Sequence, residues 1–417
     1  MITMRKYQLL APAMVLAFLG LAPLVESKPT DDKGDMKLSI RQLIAKYYTN
    51  FNVGASSKQE YWKHPDARAA RFFNEFSYNT PENSFKISTL YNKDGRAGDE
   101  YKSDEYLYFI QQARKYKQVI RAHGPISPQT NKWSKEDSRT PNELDGLLTL
   151  HLTKLCQDLE KNRDVVTRMD VVNECFAASN LKGIGYDGVG KEDNVIYRSD
   201  DWFGPRKGNM QWENPWPILG FDTVKINGQE LVIPKYIVKA FTIATKNAPG
   251  VKLIWNDHGK VIDPKLYAKL ELCVLYLRSI GLRVDGIGWQ GHVDIGWEKE
   301  PTNIKNLENV IDWCHQNKLE FHVTELDVTV ATKRGAEFID TEKLASTRQG
   351  QSETFAAVLE TLLKKVDMGA ASLNFWTMYD HCKQGVTFAG LFDNEGNPNP
   401  AYTRVKELLI EYGKKKK

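Results

Sequence analysis

Short apolar runs of β-branched and aromatic residues recur along the chain, each ending in a polar cluster and followed by an amphipathic stretch of helical period. Eight such runs stand out, at residues 51–55, 73–78, 118–122, 165–172, 252–255, 284–289, 320–324 and 371–376. Helical periodicity fills the intervals, for example at 142–158, 236–246, 264–280, 305–317 and 352–366. Strands alternating with helices predict a parallel sheet, because a parallel pair needs a crossover between its strands. Eight repeats predict an α/β fold of the (β/α)₈ type, a TIM barrel.

One connection breaks the rhythm. Roughly sixty residues separate Glu174 from the helical stretch at Tyr236, many more than a strand-to-helix turn requires. They are rich in Gly, Asp, Trp and Pro and include Trp202, Trp212 and Trp216. A long insertion after strand 4 is therefore expected, leaving the strand at the end where barrel active sites are built. It is either a surface excursion packed on itself or a contributor to the site.

Residues 1–27 read as a signal peptide. Arg5 and Lys6 precede an apolar stretch, 9–24, and small or polar residues follow to Ser27. Pro12 and Pro23 interrupt that stretch, which is short for a spanning helix, so a cleaved signal is favoured over an uncleaved anchor. The protein is thus expected to be secreted or periplasmic, with no membrane association once the signal is removed. A polar leader follows at 28–37, and residues 38–417, without a break in composition, form one barrel domain.

A chain of 417 residues suits one large barrel with insertions. With 41% hydrophobic and 26% charged residues it buries a large core and is not disordered. The net charge of +4 is matched by the four lysines at 414–417, and no basic stripe with interleaved aromatics exists, so nucleic acid is excluded as a partner. Cys156, Cys175, Cys273, Cys314 and Cys382 are far apart and odd in number, and no C-x-x-C pair exists for zinc. They read as small buried apolar residues. A monomer is expected.

The strand ends carry the chemistry. Strand 2 ends in Glu82 and Asn83 with Lys86 one turn on, strand 3 in His123 with Gln129 beyond, and strand 4 in Asn173 and Glu174. Strand 5 ends in Asn256, Asp257 and His258, strand 6 carries Gln290 and His292, strand 7 Glu325 and Asp327, and strand 8 Trp376 with Asp380 beyond. Amides and carboxylates suit the hydroxyls of a neutral polyol better than a phosphate, which draws Arg and Gly-rich turns. Neither G-x-x-x-x-G-K-[ST] nor G-x-G-x-x-G occurs, and no cofactor is expected. Glu325 and Asp327 are two apart on one strand, as are Gln290 and His292 on its neighbour, so His292 can stand between the two acids and keep Glu325 ionised. Glycoside cleavage needs two carboxyl groups in unlike environments, and Glu174 and Glu325 face each other across the barrel mouth.

These residues resemble the endo-β-1,4-xylanases of glycoside hydrolase family 10, from about Phe51 to Tyr402. Thr80-Pro81-Glu82-Asn83 with Lys86 is similar to the family's T-P-E-N-x-x-K, and Asp170-Val171-Val172-Asn173-Glu174 to its W-D-V-V-N-E. Asn256-Asp257 matches N-D, residues 286–292 G-I-G-x-Q-x-H, and Thr324-Glu325-Leu326-Asp327 T-E-L-D. Residues 390–393 and 400–402 resemble the C-terminal L-L-F-D and P-A-Y. The resemblance implies retaining hydrolysis of xylan or xylo-oligosaccharides, with Glu174 as acid/base and Glu325 as nucleophile. It implies that Asn173 bonds the sugar 2-hydroxyl. Glu82, Asn83, Lys86, His123 and Gln129 would hold hydroxyls around the cleavage point and Trp376 would floor the subsite. Gln290 would position the Glu174 side, and His292 with Asp327 would orient Glu325.

Three departures bear on the sugar pocket. The third loop, from His123 to Gln129, is one residue shorter than the H-T-L-V-W-H-S-Q stretch of the family's G-H-T-L-V-W-H-S-Q and lacks its Trp-His pair. Met169 replaces the Trp before Asp170, and Gln384 falls where the family has a second aromatic, for which Phe388 or a Trp of the long insertion is the candidate replacement. The altered loop motivates a second reading, a non-catalytic sugar-binding relative. A third, a metal-dependent barrel hydrolase, would use His258, His292 and His381, each near an Asp, but no H-x-H pair exists and no metal is expected.

Overall fold

In the computed structural model, eight parallel strands close into a barrel. They are β1 (Phe51–Ser57), β2 (Tyr78–Pro81), β3 (Val119–Ala122), β4 (Val166–Asn173), β5 (Lys252–Asp257), β6 (Gly286–Trp289), β7 (Glu320–Thr329) and β8 (Ala371–Phe375). Each pairs with the next, and β8 returns to β1 with Phe51 opposite Ala371 and Gly54 opposite Asn374. The structure describes residues 32–63, 66–90, 101–128, 140–176, 202, 214–258, 262–329, 341–383 and 386–416, with backbone alone at 32, 62, 341–344, 381–383 and 386–389.

A helix of more than two turns follows each strand: α1 (Ala67–Glu75), α2 (Asp104–Tyr116), α3 (Pro141–Lys161), α4 (Lys235–Asn247), α5 (Pro264–Ser279), α6 (Pro301–Gln316), α7 (Thr341–Leu363) and α8 (Pro400–Lys415). Local sequence explains their starts. At α3, Thr140 and Glu143 form a capping box and Pro141 sits in the first turn; at α5, Asp263 accepts from Lys265 N and Pro264 follows. The buried stripe of α3, which includes Leu144, Leu147, Leu148, Leu152, Leu155 and Leu159, faces the sheet. Each such leucine contributes about 1.5–3 kcal/mol on burial.

The run at 73–78 is not one strand. Phe73 lies in α1, whose buried face is Ala69, Phe72 and Phe73 at helical spacing behind the Asp66 cap, and β2 begins only at Tyr78. The aromatic cluster carried both periods, and the cap decided for helix. The leader is also ordered from Asp32 onwards. Asp35 is buried and accepts from Tyr47 Oη at 2.5 Å and from Lys46, and Lys406 Nζ on α8 donates to Met36 O at 2.7 Å. Gly413 of α8 lies so close to Tyr47 that a side chain there would collide with the ring.

Part of the insertion after β4 is a β-hairpin, Phe221–Ile226 with Gln229–Pro234, turned by Asn227 and Gly228 at φ 50° and 79°. Both positive values fit the turn that matches strand twist.

The barrel interior is polar below the mouth. Arg121 of β3, fully buried, donates to Asp170 Oδ2 of β4 at 2.8 Å and, across the barrel, to Thr324 O of β7 at 2.9 Å. Its Nε reaches Thr80 Oγ1 at 3.3 Å. A lower layer joins Arg168, Glu320, His322 and Ser372, with Arg168 Nε 2.7 Å from Glu320 Oε2 and His322 Nδ1 2.8 Å from Ser372 Oγ. Among the described residues, no helix is long and apolar enough to cross a membrane.

Candidate active site

The C-terminal strand ends bring together most of the polar residues singled out in the sequence. β4 ends at Asn173, and Glu174 follows in a left-handed conformation at φ 54°. A non-glycine residue there is strained by about 1–2 kcal/mol, so the surroundings must hold it. They do so through consecutive backbone N–H groups. Asn173 N donates to Ile126 O at 2.9 Å, Glu174 N to Asn256 O at 3.2 Å, and Cys175 N to Asp257 Oδ2 at 3.1 Å. Gln290 Nε2 donates to Glu174 Oε1 at 2.8 Å.

Glu325, on β7, is 3% exposed. Its Oε1 accepts from Asn256 Nδ2 at 3.0 Å and lies 3.6 Å from His123 Nδ1. His292 Nε2 is 3.3 Å from Glu325 Oε2, and the other ring nitrogen is 2.9 Å from Asp327 Oδ1. Burial alone pushes the Glu325 carboxyl up, but the charge on His123, the hydrogen bond and charge of His292, and Arg121 outweigh it and hold the group at about 2. Burial pulls the His292 imidazole down, yet Asp327 and Glu325 on either side raise it well above its ordinary value. The ring thus stands protonated between two carboxylates.

The route from Gln290 to His292 depends on Gly291. β6 ends at Trp289, Gly291 adopts φ 75°, and the chain then pairs with β7 again, with His292 opposite Asp327. From the two ends of this turn Gln290 reaches Glu174 and His292 reaches Glu325.

Asn173 Oδ1 accepts from Asn256 Nδ2 at 2.8 Å, and its own amide donates to Ser127 Oγ at 3.0 Å. His123 Nδ1 is 2.8 Å from Asp170 Oδ2, and its ring meets Trp376 edge-on, 5.3 Å between centroids. Trp376 is half-buried, with the His292 ring at 6.2 Å. Lys58 at the end of β1 pairs with Glu82 Oε2 at 2.8 Å, its Nζ 5.9 Å from the Trp376 ring centre. Burial would raise the Glu82 carboxyl, but Lys58, Lys86 and His123 together lower it. Lys86 is 4% exposed, and burial lowers its ammonium despite the nearby Glu82, Glu325 and Glu174. Asn83 is exposed on the turn after β2. Gln129, Trp212 and Gln384, and the side chains of His381 and Phe388, lie outside the described residues.

The insertion supplies no sugar platform through Trp202 or Trp216, both fully buried. Trp202 stacks on Phe176 at 4.8 Å and 16°, and its indole donates to Val232 O, which fastens the hairpin to the barrel. Met169 is likewise fully buried in its strand. Cys156, Cys175, Cys273 and Cys314 are free and buried, as small apolar residues are. His258 Nε2 lies 3.1 Å from Phe176 O, and no cluster fit for a metal ion occurs among the described residues.

Sequence reading passed over Arg121, Lys58 and the structural work of Asp170, Asn256 and Asp257. Only Arg121 carries a local signal, a full charge in the middle of an apolar strand, Val119–Ala122.

The model of the family described as Glycosyl hydrolase family 10 matches residues 39–197 and 223–408, and the gap between them falls in the insertion after β4. The chain is similar to Endo-1,4-beta-xylanase B of Thermotoga neapolitana, 24% identical over 413 residues covering 96% of this chain and 97% of that one. It is also similar to Endo-1,4-beta-xylanase A of Caldicellulosiruptor saccharolyticus, 27% identical over 377 residues covering 87% and 94%. Among solved structures, xylanase 10B from Thermotoga petrophila RKU-1, in complex with xylobiose, superposes with a TM-score of 0.67 at 22% identity, covering 90% of this chain and 98% of that one. Penicillium canescens endo-1,4-beta-xylanase XylE gives 0.65 at 18%, again covering 90% and 98%.

Proposed function

We propose, from the premise that the chain belongs to glycosyl hydrolase family 10, that it hydrolyses internal β-1,4-xylosidic bonds of xylan with retention of configuration. The xylanases among its relatives support the substrate. The observation that carries the mechanism is the unlike treatment of two carboxyl groups. Glu325 is held ionised at about 2 by His123, His292 and Arg121, whereas Glu174 meets a neutral amide, Gln290, at Oε1.

As general acid, Glu174 gives a proton to the glycosidic oxygen. The Glu325 carboxylate attacks the anomeric carbon, the bond to the leaving sugar breaks, and a glycosyl ester forms on Glu325. Glu174, now ionised, takes a proton from water. The resulting hydroxide attacks the same carbon, and Glu325 leaves as carboxylate. Asn173 holds the sugar 2-hydroxyl, with Glu82, Asn83, Lys86, His123 and Gln129 around the cleavage point and Trp376 beneath it. Gln290 positions Glu174, and His292 with Asp327 orients Glu325.

Proton NMR of xylo-oligosaccharide hydrolysis tests this reading. The first-formed reducing end is expected as the β-anomer; a first-formed α-anomer overturns retention, and no hydrolysis favours the sugar-binding alternative. The same reading takes residues 1–27 as a secretion signal and the released enzyme as a monomer. Mass spectrometry of protein recovered outside the cell should show a start near residue 28, and an intact Met1 there would refute it.

A further inference from the structure

We propose that Asp257 is a positioning residue for Glu174, its buried carboxylate holding the left-handed turn that aims the acid/base at its target. The idea rests on Glu174 being the acid/base. Asp257 ends β5 and is fully buried. Nothing in the two-carboxylate chemistry calls for a third buried acid beside Glu174, yet this one is fully engaged. Oδ2 accepts from Cys175 N and from Trp255 Nε1, both at 3.1 Å, and Oδ1 accepts from His258 N at 3.0 Å. The Trp255 indole and the His258 amide belong to the strand end of Asp257 itself and fix the carboxylate. The Cys175 amide belongs to the residue after Glu174 and is what the carboxylate holds.

The same strand end grips the turn at two further points. Glu174 N donates to Asn256 O at 3.2 Å, and His258 Nε2 lies 3.1 Å from Phe176 O. Asp257 also supports the partner of Glu174, because Gln290 N donates to the Asp257 backbone carbonyl at 2.9 Å. One residue therefore fixes the backbone on both sides of the Gln290–Glu174 hydrogen bond.

An Asn at this position has one acceptor oxygen. In either orientation its NH₂ group faces an N–H that the carboxylate accepts, either His258 N or the Cys175 and Trp255 pair. Two donors then oppose each other, and the turn must shift.

The test compares kcat/KM of Asp257→Asn and the parent on two aryl β-xylobiosides, one with a poor leaving group and one with dinitrophenolate. The first needs a proton on the departing oxygen and the second does not. A misplaced acid should cost about a hundredfold on the poor leaving group and less than about threefold on the good one. Equal losses on both, or none on either, overturn the proposal. Glu174→Ala is measured in parallel. If it loses equally on both substrates, the assignment of Glu174 falls; if it is selective and Asp257→Asn is not, only the role of Asp257 falls. Should Asp257→Asn fail to fold, His258→Ala removes the neighbouring strap to Phe176 O, together with the ring nitrogen 3.6 Å from Asp257 Oδ1, and keeps the carboxylate with its three N–H donors. It should give the same leaving-group pattern at smaller amplitude, and a uniform loss would again overturn the proposal.

Discussion

Asn256 Nδ2 donates to Glu325 Oε1 at 3.0 Å, and the same amide nitrogen reaches Asn173 Oδ1 at 2.8 Å. One side chain of β5 thus ties the proposed nucleophile on β7 to the residue before the proposed acid on β4. Its oxygen is fixed in turn by Thr324 Oγ1 at 2.7 Å. Asn256→Asp removes both donated bonds and sets a carboxylate against Glu325. A hydrogen bond to a charged group is worth about 1.5–3 kcal/mol, so kcat/KM should fall about ten- to hundredfold. Thr324→Val, which only loosens the amide, should cost less. An unchanged kcat/KM in Asn256→Asp would deny the coupling.

The two glutamates should separate by chemical rescue. Glu174→Ala should slow turnover of an activated xyloside by about 10²–10⁴. Azide should restore part of it as the β-xylosyl azide, because the glycosyl ester on Glu325 still forms. Glu325→Ala should give only the α-azide, by direct displacement. Identical products from both variants would reverse or void the assignment.

His292 should set the acid limit. Its loss removes one of the main groups that oppose burial, so the Glu325 carboxyl rises and the acidic limb of kcat/KM moves to higher pH in His292→Ala. The sign for stability follows from the same depression. The folded carboxyl lies at about 2, below its ordinary 4.5, so the stabilisation is present above about 4.5 and lost as pH falls towards 2. The difference in unfolding free energy between the parent and Glu325→Gln should shrink over that window. A constant difference would show that Glu325 is not depressed.

Two tryptophans should respond in opposite ways. Trp202→Ala removes a stacked core ring and should destabilise by about 3–5 kcal/mol in urea, with KM for xylo-oligosaccharides little changed. Trp376→Ala, which removes the half-buried ring proposed as the sugar floor, should raise KM with modest loss of stability. The reverse pattern would move the sugar floor into the insertion.

The strand-and-helix rhythm and the acids at its punctuation were legible in the sequence because both are local patterns. Misread features are those in which one local pattern serves two structures. Phe72, Phe73 and Phe76 satisfy a strand as well as a helix face, and the Asp66 cap settles the matter. Trp202 and Trp216 look like sugar platforms in a long polar loop but pack against the barrel. Asn227-Gly228 carried a hairpin signal of its own inside that insertion. Arg121 could not be assigned from its strand, since its partners on β2, β4 and β7 become neighbours only when the barrel closes. The His292–Glu325 partnership was within reach of strand spacing, whereas the Gln290–Glu174 one came only with the family resemblance, and the turn between the two residues passes through Gly291 at φ 75°.

The seam between β8 and β1 has a kinetic meaning. Ser56 donates to the Trp376 carbonyl across it, a contact that spans 320 residues of chain, and Lys58 stands over the Trp376 ring beside it. Contacts of such sequence separation close late in folding, after the loop entropy between them has been spent. A nascent chain that has not yet delivered residues 371–376 already carries Glu174 and Glu325, but it has neither the closing strand nor the Trp376 ring. Recovery of activity on refolding should therefore lag behind recovery of helical signal, with Trp376 fluorescence tracking activity.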